Sequence, residues 1–317
     1  MKELLEQIKS LRVLVIGDVM LDRYVIGEVS RISPEAPVPV LAVTEERSVA
    51  GGAANVALNL CSLGANVEVV GWFGKDERGD ELIGILAEQK IVVDTKFRFS
   101  SAPTISKSRV TASNQQICRV DREFSSVHYS PNLREMGELI AKKAQSVDAV
   151  IVSDYGKGFV TNDLFELVRN SAKFVAVDPK PSRPLQYSQP DLLTPNRAEA
   201  LELAGLPRNA QSPFPKEDVV REIFAKYSPR SLAVTLGAGG MLLAHEGEIV
   251  QTIPTAAREV FDVSGAGDTV IASLTLALAA GESFEKAAKF ANTAAGVVVG
   301  KVGTATVSPA EILGLST

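Results

Sequence analysis

Five short runs of almost uninterrupted apolar residues recur along the chain, at 11–17, 67–72, 149–153, 174–177 and 232–236. A strand with one face in water alternates polar and apolar residues. These runs do not, so both of their faces must be covered. Helical patterns occupy most of the intervals, at 53–63, 77–89, 133–145, 162–170 and 216–227. Doubly buried strands alternating with helices predict an α/β fold: a mainly parallel central sheet flanked by helices. A length of 317 residues suits one domain, expected to span 1–317.

Two stretches break this rhythm. Residues 24–43 hold Pro34, Pro37 and Pro39 among short extended pieces, and 95–122 alternates polar and apolar residues, as in Lys107-Ser108-Arg109-Val110. Both read as antiparallel strands with one face in water. Together they predict a small antiparallel β lid built from about 23–47 and 95–123. Such a sheet can bury its apolar face against a second copy, so a homodimer through the lid is expected. After Asp262 the chain turns helical, at 269–280 and 285–299.

Charge and composition exclude several classes. The net charge is −5 with no basic cluster, which argues against nucleic acid as a partner. The start, Met1-Lys2-Glu3-Leu4-Leu5-Glu6, lacks the basic and apolar regions of a secretory signal. The apolar stretch 270–280 is too short to span a bilayer, which takes about 20 apolar residues. No membrane association is expected, and the cytoplasm fits best. Cys61 and Cys118 sit in apolar patterns and are expected to be buried free thiols. His128 and His245 stand alone, without metal-ligand spacing.

The segment Asp262-Val263-Ser264-Gly265-Ala266-Gly267-Asp268-Thr269 runs straight into an apolar helical pattern. Small residues ahead of a helix leave its first N–H groups open, and with the helix dipole they make a site for negative charge. Asp268 stands beside that site, within reach of a hydroxyl lying over the turn. A carboxylate so near a helix start is expected to have a depressed pKa and to be a weak base. That suffices for phosphoryl transfer, which depends mostly on positioning and charge stabilisation. The same residues also read as a Gly-rich loop with Asp268 as a helix cap.

Further segments offer binding groups, each with a plainer alternative. Gly237-Ala238-Gly239-Gly240, just beyond Thr235, permits close backbone approach to a ligand or simply turns the chain between strands. Asn196 and Glu199 in Thr194-Pro195-Asn196-Arg197-Ala198-Glu199 suit a phosphate or its metal, or a capping box. Gly17-Asp18-Val19-Met20-Leu21-Asp22 sets two carboxylates just past the first strand, at the edge where open α/β sheets bind ligands. They can take sugar hydroxyls or remain loop acids. Gly51-Gly52-Ala53-Ala54-Asn55 adds a tight backbone approach and an amide, or a helix-packing contact. A P-loop is absent, as is a Gly-x-Gly-x-x-Gly after the first strand, which argues against P-loop phosphotransferases and dinucleotide-binding domains.

Together these segments resemble the ribokinase family of carbohydrate kinases over nearly the whole chain. Within it, the chain is most similar to the branch that phosphorylates D-glycero-β-D-manno-heptose 7-phosphate. The runs that carry this are 17–24, 30–40, Asn114-Gln115-Gln116, Ser153-Asp154-Tyr155, Asp178-Pro179-Lys180 and 296–301. The resemblance implies transfer of the ATP γ-phosphoryl group to the anomeric hydroxyl, giving the 1,7-bisphosphate on the way to ADP-heptose for lipopolysaccharide. It implies Asp268 as catalytic base and the backbone of Gly265, Ala266 and Gly267 as anion hole. Asn196, Glu199, Thr235, Gly237 and Gly240 would serve the nucleotide, with Glu199 acting indirectly on Mg²⁺. Asp18, Asp22, Gly52, Asn55 and Asp154 would face the sugar.

ATP and Mg²⁺ are the implied cofactors, with a monovalent cation as a further candidate. Chemistry alone nominates Lys107, Arg109 and Lys180 for the 7-phosphate, or as solvated surface charges. The heptose kinase is in many bacteria fused to a C-terminal nucleotidyltransferase domain. The chain ends at Thr317, so a separate kinase or an excised domain is expected, without adenylylation activity. A kinase of another sugar phosphate, and a non-catalytic sugar- or nucleotide-binding protein of the same fold, are the alternatives.

Overall fold

The computed structural model describes residues 1–112, 115–181, 185–207, 213–257, 259–301 and 303–314. Asn114, one of the residues behind the resemblance, lies outside them. A short helix, α1 (Lys2–Ile8), leads into β1 (Arg12–Gly17), buried from Val13 onward. Two long strands, β2 (Val19–Ile32) and β3 (Pro39–Gly52), reach out into solvent and return at α2 (Ala53–Ser62). Next come β4 (Asn66–Gly71), β5 (Phe73–Gly74) and α3 (Glu77–Glu88), whose cap Asp76 accepts the Gly79 N–H at 2.8 Å. β6 (Val92–Val93), β7 (Arg98–Phe99), β8 (Ser106–Ala112) and β9 (Gln115–Arg122) follow.

The alternation then resumes with α4 (Leu133–Gln145), β10 (Ala149–Ser153), α5 (Asn162–Ser171) and β11 (Val175–Asp178). It continues through β12 (Leu192–Leu193), α6 (Arg197–Leu203), α7 (Lys216–Tyr227) and β13 (Ser231–Thr235). A hairpin of β14 (Met241–His245) and β15 (Glu248–Ile253) precedes α8 (Ala266–Ala279), α9 (Phe284–Val298) and α10 (Pro309–Gly314).

The larger sheet has the order β15-β14-β13-β12-β11-β10-β1-β4-β6. Its pairs are parallel from β6 to β13, and only β14 and β15 join antiparallel. Parallel strands bring their C-terminal ends to one rim, so Gly17, Ser153, Asp178 and Thr235 all finish there. From β1 the chain first moves to β4 on one side and later returns to β10 on the other. Ligands of open α/β sheets bind at such a reversal, and Asp18 and Asp154 follow directly on these two strands.

The smaller sheet has the order β3-β2-β8-β9. It is the expected lid, with two differences. Its central pair, β2 with β8, is parallel; only the outer pairs are antiparallel. Residues 95–105, expected in the lid, do not belong to it: Thr95–Phe97 form a 3-10 turn and β7 pairs with β5 in a separate sheet. The Trp72 indole stacks on Phe99 at 4.0 Å between ring centroids, an aromatic contact that holds this stretch to the body. Cys118 is exposed on the lid and Cys61 half-buried, both free, so the expected burial of both thiols fails. An apolar alternation on a free-standing sheet does not guarantee a covered face.

Candidate active site

Gly265 holds φ at +79°, a left-handed conformation that glycine adopts without penalty, and turns the chain into α8. A Cβ there would lie 3.0 Å from Asn55 Nδ2, so this turn is pressed against α2. Ala266 donates its N–H to the Val263 carbonyl at 3.2 Å. Among the described residues, the N–H groups of Gly265, Gly267 and Asp268 meet no acceptor, and Gly267 is exposed. An opening for negative charge therefore exists at this helix start. Its donors differ in one respect from expectation: the Ala266 amide is already used, and the Asp268 amide joins the set.

Asp268 is 6% exposed, at the floor of this opening. Asn55 Nδ2 donates to its Oδ2 at 2.5 Å and the Tyr155 hydroxyl donates to its Oδ1 at 2.6 Å. Its pKa is pushed up to about 6, because burial outweighs those two bonds and the nearby Asp22 charge adds to the rise. The expected depressed pKa is thus reversed. A helix start favours the carboxylate, yet loss of water costs more at a site walled by α2 and the sheet rim. The outcome is a better base near neutral pH. Burial and the neighbouring Asp268 charge push Tyr155 well above the usual tyrosine range, so it stays protonated and donates.

The early residues converge on the same place, with roles that differ from one another. Asp18 is 1% exposed and accepts the N–H groups of Tyr155, Lys157 and Phe159, each at 2.9 Å. Most of its capacity goes into shaping the loop after β10, so it positions Tyr155. Asn55, 1% exposed, turns its amide to Asp268 and likewise positions the base. Gly52 has φ +58°, and a Cβ on it would lie 2.3 Å from the Asp18 carbonyl oxygen. Its role is this close approach. Asp22 remains a sugar-facing candidate; Arg109 donates to it at 2.7 Å.

Asp154 is also committed: its carboxylate accepts the Gly156 N–H at 2.7 Å and the Tyr187 hydroxyl at 2.6 Å. It is 2% exposed. Burial and this network make it a support of the rim.

Asn196 and Glu199 form a complete capping box on α6, so the plainer alternative is realised there. Glu199 nevertheless keeps its Oε1 on Lys180 Nζ at 3.0 Å. Lys180, nominated for the substrate phosphate, thus stands with the nucleotide group. Thr235 donates its N–H to the Pro195 carbonyl at 3.1 Å, which joins the α6 start to the glycine turn. In that turn Gly237 and Gly240 have φ +60° and +81°.

Asp178, which in the sequence stands only within the run Asp178-Pro179-Lys180, lies near Glu199, Asp268 and Lys180. Its pKa is pushed well above the carboxylate range by burial, then by the charges of Glu199 and Asp268, against Lys180. Lys107 and Arg109 project from β8 beside Asp22. Burial pushes the Lys107 ammonium down, and Lys157 nearby pushes it further, so positive charge is concentrated here. Arg47 and Arg109 both lie over the Tyr24 ring, at 4.7 and 5.4 Å from its centroid. Lys157 and Arg47 carry no signal in the sequence and Tyr155 only a place in the run Ser153-Asp154-Tyr155; the folded loop and lid bring them here.

A base beneath open amides, at the switch point of a parallel sheet and under a β lid, defines a phosphotransferase that acts on a small alcohol. Comparison with known proteins narrows the class. The chain matches the model of the pfkB family of carbohydrate kinases over residues 10–311, and it belongs to that family. It is a sugar kinase, and the family implies use of ATP.

Among curated relatives, bifunctional protein HldE of Actinobacillus succinogenes is 45% identical over 314 residues, covering 96% of this chain and 63% of that protein. Bifunctional protein HldE of Aeromonas hydrophila is 43% identical, covering 98% and 65%. The chain thus spans 63–65% of the length of these relatives. Among solved structures, phosphofructokinase-2 from Escherichia coli in complex with potassium superposes with a TM-score of 0.74 at 19% identity, covering 96% of this chain and 97% of that one. Arabidopsis thaliana ribokinase with ribose and ATP gives 0.72 at 20%, covering 96% and 98%. At those identities the likeness speaks to the fold, which is ribokinase-like.

Proposed function

We propose that the chain transfers the γ-phosphoryl group of ATP to the anomeric hydroxyl of D-glycero-β-D-manno-heptose 7-phosphate, giving the 1,7-bisphosphate in ADP-heptose synthesis. The observation that carries the chemistry is Asp268, held by Asn55 and Tyr155 directly below unpaired amides. The hydroxyl oxygen bonds to the γ-phosphorus as the bond to the ADP oxygen breaks, and the hydroxyl proton passes to Asp268. The amides of Gly265, Gly267 and Asp268 steady the negative charge of the group in flight. The sugar assignment rests on the runs at 17–24 and 30–40 and on the HldE relatives, which are longer than this chain.

Mg²⁺ takes hard oxygen ligands and is often held by one or two carboxylates plus substrate phosphates. Among the described residues, no group of three or more His, Cys, Asp or Glu side chains forms a ready metal cage. Asp178 and Glu199, two neighbouring acids that share the single cation Lys180, fit the smaller requirement and would hold the ion, which neutralises the triphosphate when bound. A monovalent cation is a further candidate cofactor. The substrate 7-phosphate would lie against Lys107 and Arg109, with Lys157 behind them.

The chain would act as one domain with a lid in the cytoplasm. Among the described residues no helix is long and apolar enough to cross a membrane. The lid exposes Val29, Ile32, Val38, Val43, Ile117 and Val120, which supports pairing with a second copy.

A coupled ADP-release assay tests the reading, with the heptose 7-phosphate beside fructose 6-phosphate, other hexose phosphates and nucleosides. A kcat/KM at least tenfold higher for the heptose phosphate is expected. Preference for fructose 6-phosphate or a nucleoside would overturn the sugar assignment and leave the kinase chemistry standing.

A further inference from the structure

The lid carries a second concentration of positive charge, on the face turned away from Asp22 and Arg109. Successive residues of a strand point to opposite faces. Asp22 pairs with Lys107 and Lys107 with Asp121, which makes one row. Leu21, Ser106 and Arg122 make the adjacent row, on the other face, and Arg23 shares that face two residues along β2. There Arg23 and Arg122 meet Arg78, from the first turn of α3, around a cleft of about 390 Å³. Asp76, Glu77 and Glu81 complete its wall.

The wall carboxylates leave the arginines largely unneutralised. Asp76 is occupied by the N–H of Gly79 at 2.8 Å and by the N–H and hydroxyl of Thr104 at 2.9 and 2.8 Å. Glu77 and Glu81 are exposed, and among the described residues neither forms an ion pair with Arg78 or Arg122. Arg23 has one partner in reach, Glu46 at 3.3 Å on the open surface. Arg78 keeps its Nε and Nη1 buried without any hydrogen-bond partner. Buried charged donors are costly to leave unpaired. Burial, then the charges of Arg122 and Arg23, pushes the Arg78 guanidinium below its ordinary range, and the opposing charges of Asp76 and Glu81 do not cancel this.

We propose that Arg23, Arg78 and Arg122 form a second anion site, behind the lid, that takes a phosphate group. A tetrahedral phosphate offers several oxygens to guanidinium forks, which bind it in pairs. Two of the arginines belong to the lid and one to the body, so a bound phosphate ties β2 and β9 to α3 and fixes the lid's angle over the sugar site. The reacting sugar's phosphate is placed on the opposite face, at Lys107 and Arg109, so the phosphate here is free or carried by a second molecule of the sugar phosphate. The assignment does not depend on which sugar the enzyme uses.

Thermal unfolding of the full chain is followed against inorganic phosphate, in a buffer without other multivalent anions. The proteins are the wild type, Arg122→Gln, Arg122→Lys, Arg78→Gln and Arg109→Gln. Arg122 is exposed, so its variants keep the fold. A stabilising response is expected in the wild type, with midpoint phosphate concentration raised at least tenfold in R122Q and R78Q. R122K and R109Q should retain most of it. A response unchanged in both R122Q and R78Q, or lost only in R109Q, overturns the proposal. In phosphate-free buffer, a thermal response to the sugar phosphate that R109Q keeps and R122Q loses identifies a second molecule of the sugar phosphate as the ligand. No response of that kind, with the response to inorganic phosphate lost in R122Q, identifies free phosphate.

Discussion

Tyr155 reaches Asp268 with its hydroxyl at 2.6 Å while its own amide is held by Asp18 at 2.9 Å. One residue therefore joins the end of the first sheet strand to the start of a helix far along the chain. The base is placed by this link from one side and by Asn55 from the other.

Asp268 titrates near pH 6, and it must be ionised to accept a proton. Turnover should therefore rise with pH through about 6 and level off above 7. Tyr155→Phe removes a bond that favours the ionised form, so the rise should move to higher pH by up to about one unit. Well above that rise, kcat should fall by no more than about tenfold. A kcat–pH profile checks both; an unmoved rise in Tyr155→Phe would show that the hydroxyl does not govern the base.

Asp268→Asn should lower kcat by about 10²–10⁴-fold, the usual worth of a general base, while ATP still binds. Against the wild type its stability should also improve as pH rises to neutrality, offset in part by the NH₂ it turns toward a donor, Asn55 or Tyr155. The folded pKa is raised above an unfolded value of about 3.9, so the folded form binds the proton more tightly. Stability from this group is present below pH 4 and is lost as pH climbs through 6. At pH 7 the penalty is about 2–3 kcal/mol. The variant's Tm relative to the wild type should be higher at pH 7.5 than at pH 4.5, measured by calorimetry.

Asp18→Asn leaves too few acceptors for three amides and turns an NH₂ toward N–H donors. A loss of about 2–4 kcal/mol is expected, with a fall in kcat through misplacement of Tyr155. If Asp18 instead bound sugar, KM would climb with stability unchanged. Urea unfolding beside steady-state kinetics separates these.

Gly52→Ala would set a Cβ 2.3 Å from the Asp18 carbonyl oxygen and 2.8 Å from Met20 Cε, at a φ of +58°. A loss of more than about 2 kcal/mol is expected. Gly84, inside α3, has nothing within 4 Å of an added Cβ, and Gly84→Ala should stabilise by about 0.5–1 kcal/mol. Denaturant midpoints of the pair provide the contrast.

The alternation of apolar runs and helical patterns revealed the parallel sheet, because burial on both faces leaves a mark in composition that no loop shares. The short strands Leu192–Leu193 and Val92–Val93 left no such mark; two residues carry no period. Asp268 and the glycines before it were legible from local pattern alone. Asn55 and Asp18 are legible in the sequence but not the protein groups that hold them, which lie 213 and 137–141 positions away. Tyr155 and Asp178 bear no local signature; their roles come from what the sheet rim sets beside them. The sign of the Asp268 shift was unreadable for the same reason: a helix start is visible in sequence, while the depth of water exclusion is not.

The two long lid strands have no linker. β2 starts at the residue after Asp18, and β3 ends at the residue before α2, which carries Asn55. Any tilt of the lid is thus delivered to the groups that hold the base, with nothing in between to absorb it. The opposite ends, near Ile32 and Pro39, stand in solvent and can lengthen, shorten or change company without touching the reaction floor. A lever of this shape lets events at the molecular surface set the timing of chemistry while its reagents stay the same.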